Sequence, residues 1–516
     1  MTRRPPRAAL VLIAALAACQ SIPPPVAVPS VQATASPSPT APLVSIQPGG
    51  TLRIGLAADV GLLDPGHDDD AARPVTRQIY EGLVANALDG AVGVLATKWS
   101  VSPDGRTWTF TLRDGVIFHD GTAFDATAAM KSLMRAPNDP IVEGASAPDA
   151  TTLGVTTRVP FGPFLSALST PAYAIVRTGA TNVGTGPFRI APGTETARPL
   201  LLERNPRYWR KDRNGQALPY LDRLTFAAYS DAPSRVAALR SGSVDLVPEI
   251  GVADVPAVRA DPSLQLLSRT ASTTLFVGLN LSVPPLDDLR VRRAIAQALN
   301  PRALVERLFN GEAKLASQFP PPRTLGYDDS VTEFAKNDPD AAKKLLADAG
   351  KATFDLDVWY VLGAPPSRPD DRRIAESIAA DLAAVGIVAN LKTIDFVTFT
   401  LSVRDNKYPL WIDTLVDRRG DADEVLGRSF IPPVLNGQDL PTIGGAWVNA
   451  ESAGLLRKAR SEPDPSKRAE LYKQVSKIAQ REVPRIPLVW SAPSAAATKK
   501  VQNAQGDLFT EVGIGK

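Results

Sequence analysis

The sequence predicts an α/β protein with more than one lobe, and three observations carry that prediction. Short stretches with an apolar residue at every second position read as strands. Longer stretches with apolar residues at i, i+3, i+4 and i+7, entered through Asp or Asn and left through Gly, read as helices. In one place strand, helix and strand follow with connections short enough to make a βαβ unit, so part of the sheet is parallel. The chain has 516 residues, too many for one hydrophobic core and enough for two or three.

At the N-terminus, Arg3, Arg4 and Arg7 precede a wholly apolar run, AALVLIAAL, at 8 to 16. That run suits a secretory signal and falls far short of the roughly 20 residues that cross a membrane. LAAC, Leu16 to Cys19, follows and resembles a bacterial lipobox, in which the thiol is acylated and the signal is cut before it. Residues 1 to 18 are therefore expected to be removed and Cys19 to carry lipid. Residues 19 to 48 are uncharged and rich in Pro, Ser, Thr and Ala. Such a segment buries too little apolar surface to offset its ordering entropy and reads as an extended tether.

The folded body opens with GGTLRIGLAADVGLLDP (49 to 65), where Leu52, Ile54 and Leu56 alternate in a strand and LLDP makes its exit turn. In PDGRTWTFTLRDGVIFHDG (103 to 121), Trp108, Phe110 and Leu112 share one face and Thr107, Thr109 and Thr111 the other. Flanking Asp-Gly pairs make this an antiparallel pattern with one wet face. A short helix follows, with Asp125 as its N-cap and Met130, Leu133 and Met134 expected to face inward.

Later segments are richer in helix. Val291, Ala294, Ile295, Ala298 and Leu299 make a core-facing stripe. Asn300 and Pro301 stop that helix and start another, which runs to Gly311. Asp338, Pro339 and Gly350 bracket a third. FDLDVWYVLG, RRIAESIAADLAAVG and IVANLKTI then form the strand–helix–strand unit, with Ile374, Ile378 and Leu382 lining the helix and Gly386 ending it.

Composition narrows the function. Apolar residues at 44% and charged residues at 22% are ordinary for a soluble globular body. A net charge of +3 gives no basic surplus for nucleic acid. Cys19 is the single cysteine, so the folded part has no disulfide, thiolate metal site or cysteine nucleophile. His67 and His119 lie apart, neither with a second histidine at ligand spacing. No nucleophile elbow, H-E-x-x-H or phosphate-loop motif occurs, and the glycine-rich GATNVGTGPF (179 to 188) lacks the phosphate loop's lysine. The expectation is a non-enzyme without cofactor or metal; His67 in GHDDDAAR and His119 in FHDG are read as loop and structural residues.

Eight segments taken together resemble the peptide/nickel-type (family 5) extracellular solute-binding proteins of ABC importers. They are GGTLRIGLAADVGLLDP, IYEGLV (79 to 84), PDGRTWTFTLRDGVIFHDGTAFDA, VGTGPFRI with LERNPRYW, YLDRLTFAAYSDAPSRVAALRSGSVDLV, LNLSVPPLDDLRVRRAIAQALN, DPDAAKKLLADAG and VPRIPLVW. They follow the family's order across nearly all of residues 49 to 495. The resemblance implies a two-lobe periplasmic-binding-protein-like fold of type II, in its large form with an extra subdomain. Lobe I would span 49–276 plus 490–516 with a subdomain at about 85–183, and lobe II 281–486; FVGLNL and IPLVW would be the crossover strands. It also implies a monomer, lipid-anchored outside the cytoplasm, that hands a peptide or peptide-like solute to a permease and its ATPase. A non-peptide or anionic solute, and a sensor signalling to a membrane kinase, are the alternatives.

By position in the family motifs, Asp59, Leu62, Tyr80 and Glu81 are solute contacts in the first lobe. Asn280 lies on one crossover, Trp490 near the other, and Tyr360 at the end of the DVWY strand. Peptide-binding members typically carry a strand resembling YDMALLGWGADYPDPDNFL, whose first aspartate after the Trp pairs with the peptide α-ammonium. Here the stretch is YPLWIDTLVDRRGDADEVL (408 to 426). Aligned without gaps, that aspartate falls on Arg418, which favours an anionic group instead. A one-residue shift would bring in Asp417, and Trp411 would supply the aromatic wall. The bland reading makes Asp417, Arg418 and Arg419 a solvated loop.

Overall fold

A computed structural model describes residues 46, 48–66, 72–87, 90–136, 139–194, 196–267, 269–332, 334, 336–362, 369–432, 434–435, 438–439, 445–504 and 509–515. The expected signal segment, Cys19, most of the tether and His67 lie outside them.

Three sheets organise the chain. One has seven strands in the order Leu264–Leu267, Ser494–Thr498, Leu246–Ile250, Thr51–Leu56, Arg223–Ala228, Leu200–Arg204 and Phe188–Ile190. Thr51–Leu56 runs parallel to both neighbours, and its alternation places Leu52, Ile54 and Leu56 in the core. A four-stranded antiparallel sheet, Ala96–Val101, Thr107–Leu112, Thr152–Thr157 and Val142–Ser146, is inserted with a core of its own. Trp108, Phe110 and Leu112 are buried there, and Phe164 tilts against the two aromatics at 5.7 and 6.5 Å. Asp125 caps Ala126–Leu133 by accepting from the Ala128 amide at 2.7 Å. Met130 and Leu133 pack into this core, but Met134 does not: it is the residue that ends the helix, and it is 40% exposed. A periodic pattern carries no information beyond the last turn, which is why that inward expectation fails.

The third sheet has six strands, Lys314–Leu315, Arg485–Ser491, Thr273–Leu279, Leu410–Val416, Phe354–Leu362 and Ile387–Asp395. Its last three strands are parallel, and Asp371–Ala383 makes the crossover between the outer two. Ile374, Ile378 and Leu382 bury the inner face of that helix, and Gly386 leaves it at φ +95°. Val291, Ala294, Ile295, Ala298 and Leu299 pack in the same core, while Asn300 caps the next helix through the Ala303 amide at 3.1 Å. That helix, Pro301–Arg307, stops before Gly311.

The chain passes from the seven-stranded to the six-stranded sheet through residues 269–272 and returns through 492–493. The expected crossover strands, 276–281 and 486–490, do not span the two sheets. Thr273–Leu279 pairs along its whole length with Leu410–Val416, and with Arg485–Ser491 on its other side, so both lie wholly in the six-stranded sheet. Backbone ladder bonds on both sides fix them there. No described helix is long and apolar enough to cross a membrane.

Candidate functional site

The parallel strands of both large sheets deliver their C-terminal ends to loops, the place where open α/β sheets offer ligands a crevice. In the first lobe the strand Thr51–Leu56 leads to Asp59 and Leu62. Asp59 is exposed and 3.6 Å from Arg198, and Leu62 is 60% exposed. In the second lobe Leu410–Val416 leads to the stretch 417–424.

That stretch is not a solvated loop. Asp417 is buried; its Oδ1 accepts from the amides of Arg419 (3.1 Å) and Gly420 (2.7 Å), and its Oδ2 from the Thr324 hydroxyl. Burial, with the Glu424 charge nearby, pushes its carboxyl up to about 6 against those hydrogen bonds. Glu424 Oε2 accepts from the amides of Arg418 (2.7 Å) and Arg419 (3.0 Å). Asp421 pairs with Arg468 at 3.0 Å with both side chains buried, and Asp423 pairs with Arg460 at 2.7 Å. Four carboxylates thus fold one short segment around themselves. Asp417 faces inward and Arg418 is half-buried.

The two lobes touch here. Asn86 Nδ2 of the first lobe donates to the Arg419 carbonyl. The Gly162 amide of the inserted subdomain donates to the Arg460 carbonyl at 2.6 Å. A Cβ on Gly162 would stand 1.9 Å from the Glu462 oxygen, so backbone meets backbone at this point. Nearer the crossovers, Asn310 Nδ2 donates to the Val252 carbonyl at 2.8 Å, and Arg259 pairs with Glu312.

Tyr80 is buried at the end of the first-lobe helix Arg73–Ile79. Burial and then the Asp64 charge push its hydroxyl well above the usual range, while Arg135 acts the other way. Arg135 is held by the carbonyls of Ala172 (2.7 Å), Ser132 (3.0 Å) and Ala174 (3.2 Å). Tyr173 donates to Asp139 at 3.1 Å, and the charges of both Arg419 and Arg135 reach its hydroxyl. Tyr80, Asp64, Arg135 and Tyr173 thus interact within the first lobe, and Tyr173 also feels the charge of Arg419 from the other.

Other expected contacts stand inside the framework. Glu81 accepts from Thr185 (2.8 Å), Tyr208 (2.9 Å) and the Trp209 indole (3.1 Å), and burial pushes it up to about 7. Asn280 is fully buried, donating to the Asn406 carbonyl at 2.6 Å and accepting from the Ser282 amide at 3.0 Å. Trp411 lies on the bare backbone of Gly278, where a Cβ would come within 2.0 Å of the ring, and Arg485 sits 5.6 Å above its centroid. Tyr360 points into the core on the opposite sheet face. Trp490 donates to the Gln318 carbonyl at 3.1 Å and meets Tyr327 edge-on. His119 is buried; its Nε2 lies 3.0 Å from the Gly186 carbonyl, to which it donates, and its Nδ1 accepts from the Gly184 amide at 3.4 Å. Burial pushes it down to about 4, which keeps it neutral. No described group of three or more His, Cys, Asp or Glu residues could hold a metal ion.

Asn86, Arg135, Gly162 and Tyr173 were not picked out from the sequence. Their roles come from partners tens to hundreds of positions away. The sole local signal was a glycine wedged in VPFGPF, where a missing side chain hints at close approach.

The model of the bacterial extracellular solute-binding proteins, family 5 (middle region), matches residues 90–433. The dipeptide-binding protein of Escherichia coli (strain K12) is 28% identical over 452 residues, which is 79% of this chain and 82% of that protein. Heme-binding protein A of Haemophilus influenzae is 27% identical over 474 residues, 83% of this chain and 84% of that protein. The solved structure of HbpA2 from Haemophilus parasuis matches with a TM-score of 0.80 at 26% identity, covering 90% of this chain and 100% of that one.

Proposed function

Since the chain belongs to the bacterial extracellular solute-binding proteins of family 5, which bind solutes and do not transform them, we propose that it is the lipid-anchored receptor of an ABC importer. It captures an oligopeptide or peptide-like solute between its lobes and delivers it to a membrane permease coupled to an ATPase. The observation that carries this reading is the seam. Two lobes joined by two short passages meet through Asn86 with Arg419 and Gly162 with Arg460, so closure desolvates whatever lies between and changes the shape a permease meets. The E. coli relative's name supports a peptide as the solute. Cys19 in LAAC supports the lipid anchor.

A second reading has its own support: a non-peptide or anionic solute. The stretch 417–424 offers a buried Asp417, already bonded to amides and Thr324, in place of a free aspartate, and the H. influenzae relative is named for heme. Asp59, Leu62, Tyr80 and Arg418 are the contacts proposed.

The test is a thermal-shift panel of peptides, N-acetylated peptides, sugars, organic anions and heme on the full chain, purified from cells fed labelled fatty acid. A ligand at about 100 times its dissociation constant adds roughly 2.7 kcal/mol of stability. Stabilisation by peptides is the expected result, with label incorporated in the native chain and absent from Cys19→Ala. Response to heme or sugars alone would refute the peptide reading, and label in Cys19→Ala would refute the anchor.

A further inference from the structure

Arg419 is the least compensated cation at the seam. Its amide is claimed twice, by Asp417 Oδ1 at 3.1 Å and by Glu424 Oε2 at 3.0 Å. Its carbonyl is claimed by Asn86 of the facing lobe. The next residue, Gly420, takes φ +64° with Asn86 3.5 Å from where its Cβ would be. The backbone of residue 419 is therefore fixed at the point where the lobes meet, while its guanidinium has no hydrogen bond or ion pair among the described residues.

The acids around it are committed elsewhere. Asp423, which also feels the Arg419 charge, holds Arg460 at 2.7 Å. Asp417 and Glu424 hold backbone amides and Thr324. Asp139, across the seam, takes the amides of Ile141 (2.7 Å) and Val142 (2.6 Å) as well as the Tyr173 hydroxyl. The other cation of the region, Arg135, is tied to carbonyls and lies in the field of Asp64. Residue 419 is only half-exposed, and a partly desolvated guanidinium without a counter-anion is costly. Its planar fork of donors matches a carboxylate in bidentate geometry.

We infer that Arg419, and not the adjacent Arg418, selects the solute by binding a carboxylate group that it carries. This rests on reading the interlobe cleft as the solute site. The solute supplies the bidentate acceptor that the engaged carboxylates of the seam do not offer Arg419, so an uncharged analogue leaves closure incomplete. Arg418 differs because it already has a further interaction within the protein.

The experiment titrates the full chain with trialanine, trialanine C-terminal amide and the non-peptide tricarboxylate tricarballylate, in wild type, Arg419→Ala, Arg419→Lys and Arg418→Ala. The wild type is expected to prefer the free acid to the amide by about tenfold or more. Arg419→Ala removes that preference through lost affinity for the free acid, and its unliganded melting temperature does not fall. Arg419→Lys restores part of the preference, and Arg418→Ala keeps it. Equal binding of acid and amide by the wild type overturns the role of Arg419 and leaves the peptide reading intact. A preference that survives Arg419→Ala and disappears in Arg418→Ala transfers the role to Arg418 and overturns the inference. Binding of tricarballylate alone, lost in Arg419→Ala, upholds Arg419 and overturns the peptide reading. Binding of none of the three by the wild type overturns both.

Discussion

Glu81 in the first lobe and the stretch 417–424 in the second are both built on buried carboxylates, yet they do opposite things. Glu81 accepts from neutral donors, a threonine hydroxyl, a tyrosine hydroxyl and an indole N–H, that join distant parts of one lobe, with the charges of Arg113 and Arg210 nearby but not bonded to it. Burial pushes its carboxyl up to about 7, so near neutral pH it is partly protonated. The carboxylates of 417–424 accept from backbone amides and from Arg460 and Arg468. They give a loop one shape and leave it facing another lobe. A buried acid met by neutral side chains marks a core; a buried acid met by amides and arginines marks a loop held in position for something else.

The largest test of this contrast is Arg468→Ala. It leaves Asp421 buried without its cation and the Glu462 and Pro463 carbonyls without a donor. Loss of about 3–5 kcal/mol is expected in denaturant titration, with a smaller loss when Asp421→Asn is added. Additive losses would show that the pair does not act as a unit.

Next comes Glu81. Glu81→Ala strands the donors of Tyr208, Trp209 and Thr185 and is expected to cost about 3 kcal/mol. Glu81→Gln keeps an acceptor and should cost well under half of that at pH 7. If the amide costs as much as the alanine, the charge is needed and the first half of the comparison is wrong.

The smallest effect concerns Asp417, whose folded value of about 6 lies above its ordinary 3.8. Between those values the folded state binds more protons than the unfolded state. This group's contribution to stability therefore falls as pH rises from about 4 to about 6, by roughly 2–3 kcal/mol. Asp417→Asn should remove that slope from a stability–pH profile. An unchanged slope would mean that Asp417 is ionised and compensated like its neighbours.

Much of the framework was legible because it is written in short-range rules. Asp125, Asn300 and Asp338 cap helices since a side-chain oxygen three residues upstream suits a free amide. Trp108, Phe110 and Leu112 alternate because a strand does. The motifs pointed to the 417–424 stretch, which meets the first lobe through Asn86. What the motifs could not convey was orientation: Trp411, Asn280 and Tyr360 sit on the expected strands or at their ends, and all three are buried. Nor could they convey pairs such as Asn86 with Arg419 or Gly162 with Arg460, which are 333 positions apart in the first case. Sequence period says which face a residue takes; only the closed topology says what that face meets.

The seven-stranded sheet carries a consequence in time as well as space. Ser494–Thr498 lies between Leu264–Leu267 and Leu246–Ile250, and the Phe509 amide reaches back to Gln78 at 3.2 Å. The first lobe, begun at residue 51, waits for a strand near the end of the sequence, Ser494–Thr498, before its sheet can be completed. Such long-range closure is slow compared with helix formation. The opening half of the chain therefore gains its full sheet only when synthesis is nearly finished.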